Sequence, residues 1–314
     1  MSLPAPTAER QSLLAGDGRR ILIDIWRPEQ PIAFIHLLHG LGEHPARYER
    51  FAAYCNQRKI AVAAHNHRGH GENCTPDELG HIADKDGWSK LISDTALAHE
   101  AVVQRIPGVP RVLLGHSMGS YIAQSFLIRG DAQVSALILS GSALNSSLQL
   151  SAGHWLAAIE CLRGGGKNRS KLLNAMGFGS FNKPFAPNRT AFDWLSRDQE
   201  EVDKYLADPL CGADSSSRLW FDLTGGLLSV RCARALRKIP ADLPILITGG
   251  GDDPVGGEKQ LTRLAQKYQK TGHANATLKI YPQARHEMFN ETNRDEFSHD
   301  LTQWLSKTLI TQSG

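Results

Sequence analysis

Pro110-Arg-Val-Leu-Leu-Gly-His-Ser-Met-Gly-Ser-Tyr121 joins a short apolar run, a glycine-flanked serine and the start of an apolar helix pattern. Arg111 to Leu114 reads as a buried strand. Gly115-His116-Ser117-Met118-Gly119 follows at once, and Tyr121, Ile122, Phe126 and Ile128 sit in a segment that reads as a helix. Strand, G-x-S-x-G, helix is the layout of a nucleophile elbow. The glycines let strand and helix approach, because a Cβ at either place would clash in so sharp a turn. Such a turn lifts the Ser117 hydroxyl above the sheet edge. It also sets Met118 N–H at a helix N-terminus, facing developing negative charge.

Upstream of the elbow, Ile21 to Trp26 alternates as a strand. Ile32 to Leu38 is a near-continuous apolar run, the pattern of a strand covered on both faces, and it ends in His39-Gly-Leu-Gly-Glu-His44. Pro45 to Arg58 reads as a helix with Tyr48, Phe51, Ala52 and Cys55 on one face. Ile60 to Ala64 is a further strand, and Asp86 to Ile106 a long helix closed by Pro107-Gly108. Downstream, Val134 to Leu139 is a strand. Leu243 to Thr248, Gly257 to Lys270, Ala276 to Tyr281 and Asn293 to Ile310 then read strand, helix, strand, helix. This alternation predicts a parallel sheet with helices on both faces. It breaks between about Ser142 and Val230, where Trp155, Phe178, Phe181, Phe185, Trp194, Trp220 and Phe221 sit in a polar, glycine-rich background. A solvated linker would not carry these aromatics. The expected division is a core of residues 1–141 and 231–314 with a helical cap, 142–230, inserted over the site.

Bulk properties exclude several classes. The 314 residues are 41% apolar and 21% charged, as in a globular chain with a full core. A net charge of +3 gives no reason to expect a nucleic-acid partner. The five cysteines lack C-x-x-C spacing, which predicts reduced thiols without a zinc site. The first ten residues hold no signal-like apolar core, and no stretch approaches the roughly 20 apolar residues of a membrane span. A soluble, cytoplasmic protein is expected.

A serine hydroxyl needs a base to take its proton, and the base needs an anchor. In such a sheet the loops after strand C-termini converge on one edge. Thr248-Gly-Gly-Gly-Asp-Asp-Pro-Val255 supplies Asp252 or Asp253. Asp253 is favoured because Pro254 biases it to an extended backbone. Tyr281-Pro-Gln-Ala-Arg-His-Glu287 supplies His286, although a chain with 13 histidines also carries surface ones. The order Ser117, Asp253, His286 is that of the α/β-hydrolases. A second oxyanion donor besides Met118 N–H is expected from His39-Gly40-Leu41-Gly42, at Leu41 N–H, with Glu43 and His44 ordering the loop. His67-Arg68-Gly69-His70-Gly71 reads as a hydrogen-bonded turn, Asp94 as an internal salt-bridge partner, and Gly164-Gly-Gly166 lacks the flanks of a phosphate loop. Neither metal nor cofactor is expected.

With these motifs in place the chain resembles the α/β-hydrolase family of bacterial lysophospholipases and monoacylglycerol lipases, grouped with serine aminopeptidase-type hydrolases. The matching stretches are His39-Gly-Leu-Gly-Glu-His44 with Arg47-Tyr48, His67-Arg-Gly-His-Gly71, Gly115-His-Ser-Met-Gly119, Gly251-Asp-Asp-Pro-Val255 and Arg285-His-Glu287. The resemblance implies a mostly parallel, eight-stranded α/β-hydrolase sheet with a helical cap. It implies Ser117 as nucleophile, Asp253 as acid and His286 as base. Asn66 departs from it, since related sequences usually carry Asp before the R-G-H-G turn.

The implied reaction is hydrolysis of a medium or long acyl ester through an acyl-enzyme. A peptidase would need a carboxylate in the pocket for a free amine, with Glu200 and Glu201 as candidates. A non-catalytic binding protein on the same scaffold is the remaining alternative. In the cap, Arg163, Lys167, Arg169, Lys171, Lys183 and Arg189 interleave with Leu172, Leu173, Met176, Phe178, Phe181 and Phe185. That mixture suits an anionic, acylated ligand or transient contact with a membrane surface, and equally a solvated basic face.

Overall fold

The computed structural model describes residues 7–130 and 132–311. Among them, β1 (Glu9–Leu14), β2 (Arg20–Trp26), β3 (Ala33–Leu38), β4 (Ile60–His65), β5 (Arg111–His116), β6 (Ala136–Ser140), β7 (Ile245–Gly250) and β8 (Ala276–Tyr281) form one sheet. The order is β1-β2-β4-β3-β5-β6-β7-β8, with β2 antiparallel to both neighbours and the other pairs parallel. Helices α1 (Glu49–Asn56), α2 (Gly87–Arg105) and α3 (Met118–Arg129) alternate with strands. Helices α4 (Ser147–Gly164), α5 (Lys171–Phe178), α6 (Gln199–Ala207), α7 (Ser217–Val230) and α8 (Ala233–Leu236) all fall between β6 and β7. Helices α9 (Gly257–Lys270) and α10 (Arg294–Thr311) flank β8. No helix among the described residues is long and apolar enough to cross a membrane.

The central strands are apolar throughout because both faces are covered. Leu113, Leu137, Ile245 and Ile247 point to one side, against Ile122 and Phe126 of α3 and Leu261 of α9. Val112, Leu114, Ile138 and Ile35 point to the other, against Phe51 of α1 and Phe297 and Leu301 of α10. Helix α3 is buried on nearly every side, from Met118 to Leu127, since the sheet lies beneath it and α7 packs across it. A helix apolar all round needs such a double cover.

The elbow depends on two missing side chains. A Cβ on Gly115 would lie 2.3 Å from the Gly119 carbonyl oxygen, and one on Gly119 would lie 2.0 Å from that of Leu38. Both obstacles are backbone, which cannot swing aside. Gly119→Ala should therefore lose about 3 kcal/mol or more of unfolding free energy in urea titrations. Gly16, where an added methyl would meet nothing within 4 Å, provides the contrast: Gly16→Ala should stay within about 1 kcal/mol of wild type. Equal effects would contradict the close-approach account.

Candidate active site

The parallel register aligns Leu38 with Gly115, His116 with Ser140, and Gly250 with Tyr281. The loops that follow β3, β5, β6, β7 and β8 thus open on one edge of the sheet. Ser117 stands there as the N-cap of α3, at φ +50° and ψ −121°. A residue with a Cβ held in that conformation stores about 1–3 kcal/mol of strain. Its place is fixed by Ser117 N–H donating to Ser140 O at 2.9 Å, and by Ser120, whose N–H and hydroxyl both donate to Ser117 O.

Two loops supply the neighbouring acid and imidazole. His286 Nδ1 lies 2.9 Å from Asp253 Oδ2, and both groups are buried. Asp253 Oδ1 accepts from Val255 N at 2.8 Å, so each carboxylate oxygen has a partner. Asp252 is exposed, and among the described residues no hydrogen bond joins its carboxylate to the ring. The ring sits between His116 and Trp194, with centroid separations of 4.8 and 5.2 Å. Ser117 and His286 line the same cavity. No hydrogen bond joins them among the described residues; catalytic hydrogen bonds commonly tighten when substrate binds.

Burial alone would push the His286 pKa down, but the Asp253 charge and hydrogen bond, with Glu287 and Glu43 nearby, carry it above the usual 6.5. If His286 acts as a base it must be neutral. Activity should then fall as pH drops through a pKa above 6.5. A kcat/KM profile with no acid limb would count against that role.

Leu41 and Met118 both line the cavity, beside Ser117. Met118 is the first residue of α3, where the amide has no intrahelical acceptor. Gly40 comes so close to the elbow that a Cβ would sit 3.2 Å from Ser117 Cβ.

Behind the loop lies an ion cluster that the sequence alone did not reveal. Gly40 N–H and the Tyr48 hydroxyl donate to Glu43 Oε1 at 2.5 and 2.7 Å. Arg47 bridges Glu43, at 3.7 Å, and Glu287. Burial, then the neighbouring Glu287 charge, pushes the Glu43 carboxyl up to about 7, against the pull of Arg47. Arg47 and Glu287 are 240 positions apart. The motifs Arg47-Tyr48 and Arg285-His-Glu287 carried both residues without giving either a role.

Asn66 Oδ1 accepts from Glu72 N at 3.3 Å, so the amide closes the turn that its loop needs. Asp94 is ion-paired with Arg68 at 2.6 Å, both buried. His44, Asp208 and Cys211 place one potential metal ligand each within 4.8 Å of one another. His44 Nε2 and Asp208 Oδ2 already hydrogen-bond at 2.8 Å, and the Arg47 charge acts on both Asp208 and Cys211, which opposes a cation there.

The cavity above Ser117 measures about 740 Å³ and is walled by Met176, Phe178, Phe181, Trp194, Leu223 and Leu227 from the 142–230 segment. That size suits an organic ligand, and its apolar wall suits a chain of methylenes. Glu200 and Glu201 do not line it. Glu200 is exposed, and Glu201 pairs with Lys204 at 2.7 Å and Arg50 at 2.9 Å on another face.

The model of the Hydrolase_4 family, described as serine aminopeptidase, S33, matches residues 29–293. The chain belongs to this family of α/β-hydrolases. It is 28% identical over 307 residues to the monoacylglycerol lipase of Mycolicibacterium smegmatis, across 96% of this chain and 99% of that one. It is 27% identical to the monoglyceride lipase of Homo sapiens, across 98% and 93% of the two chains. In fold it is similar to a thermostable carboxyl esterase from Bacillus coagulans, with a TM-score of 0.88 at 24% identity, covering 96% of this chain and 99% of that one.

Proposed function

We propose that the protein hydrolyses carboxylic esters of medium or long acyl chains, a monoacylglycerol or lysophospholipid, through an acyl-enzyme on Ser117. His286, oriented by Asp253, takes the Ser117 proton as the hydroxyl attacks the ester carbonyl. Leu41 and Met118 amides hold the oxyanion. The alcohol leaves with the proton from His286. Water, deprotonated by the same ring, then attacks the acyl-enzyme and releases the acid. The observation that carries this reading is a strained Ser117 and an Asp253-bonded His286 on one apolar cavity of about 740 Å³. No metal or organic cofactor enters these steps. The test compares p-nitrophenyl esters of increasing length with aminoacyl anilides. Preference for a medium or long ester is expected, and faster anilide cleavage would favour the peptidase. Glu200 and Glu201 lie off the cavity, Glu43 and Glu287 reach it but are held on Arg47, and Asp214 lines it from an exposed position, so Asp214→Asn in the anilide assay tests the carboxylate a peptidase would need.

The segment 142–230 is proposed to act as a cap that meets lipid surfaces transiently. Leu148, Trp155, Ile159 and Leu162 are 79, 70, 48 and 87% exposed, at helical spacing along α4. Met176, 55% exposed on α5, also lines the cavity, so apolar surface runs to its mouth. Arg163, in the last turn of α4, and Lys167, just after it, are 75 and 74% exposed. Burying each leucine in a bilayer surface is worth about 1.5–3 kcal/mol. Leu148→Ser/Leu162→Ser should thus weaken binding to phosphatidylcholine–phosphatidylglycerol vesicles at least about tenfold, with thermal unfolding unchanged. Unaltered co-sedimentation would refute the contact. A cytoplasmic location is proposed from Cys55, Cys74, Cys161, Cys211 and Cys232, which are all unpaired.

A further inference from the structure

Five buried histidines form one hydrogen-bonded chain that ends on the oxyanion loop. His99 Nδ1 meets His36 Nδ1 at 3.2 Å, and His36 Nε2 meets His65 Nδ1 at 3.0 Å. His65 Nε2 meets His67 Nδ1 at 3.2 Å, and His67 Nε2 meets the His39 carbonyl at 3.2 Å. His67 N–H then donates to His39 Nε2 at 3.0 Å, and His39 Nδ1 meets the Gly40 carbonyl at 2.8 Å.

Each neutral imidazole has one N–H and one bare nitrogen, so a single fixed end determines every ring. The fixed end is the His39 carbonyl, which can only accept. His67 must carry its proton on Nε2, and its Nδ1 must accept from His65 Nε2–H. By the same step His36 carries Nε2–H and His99 carries Nδ1–H. The His99 Nε2 lone pair is left at the far end, and that atom is buried without a hydrogen-bond partner among the described residues. The one orphan falls where the chain must end. His39 is fixed independently: its Nε2 accepts from an amide, so its Nδ1 holds the proton. Burial, aided by neighbouring rings, holds His36, His39 and His67 well below 6.5 and His65 at about 3, and burial with the Arg111 charge holds His99 at about 4, so the rings stay neutral.

The end of the chain touches the peptides that matter. The 39–40 peptide is held at its carbonyl by His67 and at its N–H by Glu43. The 40–41 peptide has its carbonyl on His39 Nδ1–H. In a trans peptide the N–H points opposite to the carbonyl, so the His39 ring sets the direction of Leu41 N–H. We propose that the chain His99–His36–His65–His67–His39 is a positioning device, in which one set of tautomers orients Leu41 N–H for the oxyanion. This rests on the ester-hydrolase reading for its consequence, while the tautomers stand apart from it.

The first test is a multiple-bond nitrogen–proton spectrum of isotope-labelled wild-type protein at mildly alkaline pH. The expected result is Nε2–H at His36, His65 and His67, and Nδ1–H at His39 and His99. The second compares ester turnover in His67→Leu and His67→Gln. The glutamine amide can donate to the His39 carbonyl from the place of Nε2, while leucine cannot. His67→Leu should lose about tenfold or more in kcat with KM within about twofold, because an oxyanion donor acts in the transition state. His67→Gln should return to within about threefold of wild type. A different tautomer at His39 or His67, or equal kcat in all three proteins, overturns the proposal. Should His67→Leu not fold, the wild-type spectrum still decides. A folded wild type without ester turnover overturns the hydrolase reading instead, and the spectrum again decides the chain.

Discussion

Replacing Ser117 with alanine should lower kcat for a p-nitrophenyl ester by about 10⁵–10⁶-fold, leaving a rate near that of the scaffold's binding and oxyanion donors alone. The magnitude follows from the proposed chemistry: without the hydroxyl there is no acyl-enzyme, and His286 has no proton to take. Fluorophosphonate labelling, read as a mass shift on the intact protein, should vanish in the same variant. Stability separates this effect from damage to the fold. Alanine keeps a Cβ at φ +50°, so the strain stays and unfolding should match wild type. Ser117→Gly removes that Cβ, and it should be inactive yet more stable by about 1 kcal/mol. Retention of more than about a tenth of wild-type turnover by Ser117→Ala would remove Ser117 from the mechanism.

The parts legible in the sequence were those whose physics is local or periodic. Strands β3 to β7 announce themselves as apolar runs because helices cover both faces of the sheet. Strand β1, with its half-exposed Glu-Arg-Gln-Ser-Leu-Leu, carries no such mark and is a strand through its antiparallel pairing with β2. Ser117 was legible because G-x-S-x-G encodes a steric demand, and Gly115 and Gly119 meet it within a few residues. What stayed hidden depends on long-range closure. Glu43, Arg47 and Glu287 form one buried cluster from distant segments, and no spacing rule links them. The histidines His36, His65 and His99 look like ordinary polar interruptions of apolar elements until β3, β4 and α2 pack together. On α4 the helical spacing of Leu148, Trp155, Ile159 and Leu162 is plain, yet the stripe faces solvent. Periodicity gives the face of a helix and not what covers it.

The adjacent acids after β7 give the second large effect, and it is differential. Asp253→Asn should reduce kcat about 10⁴-fold, while Asp252→Asn should stay within about twofold of wild type. The sequence offers two neighbouring carboxylates with nearly the same loop chemistry. Their surroundings differ: Asp253 is buried with Oδ2 on His286 Nδ1, and Asp252 is exposed. An asparagine at 253 can present its amide N–H₂ to Nδ1, which then accepts and leaves the ring proton on Nε2, facing Ser117 with no lone pair to act as base. The loss is thus one of tautomer and of charge together. The charge component has its own readout. Asp253 raises the His286 pKa against the opposing effect of burial. Removing it should move the acid limb of the residual kcat/KM profile to lower pH, because a less stabilised imidazolium loses its proton sooner. Asp252→Asn should leave that limb in place. If the two asparagine variants lose activity equally, or if the limb moves upward in Asp253→Asn, His286 is not the base that Asp253 orients.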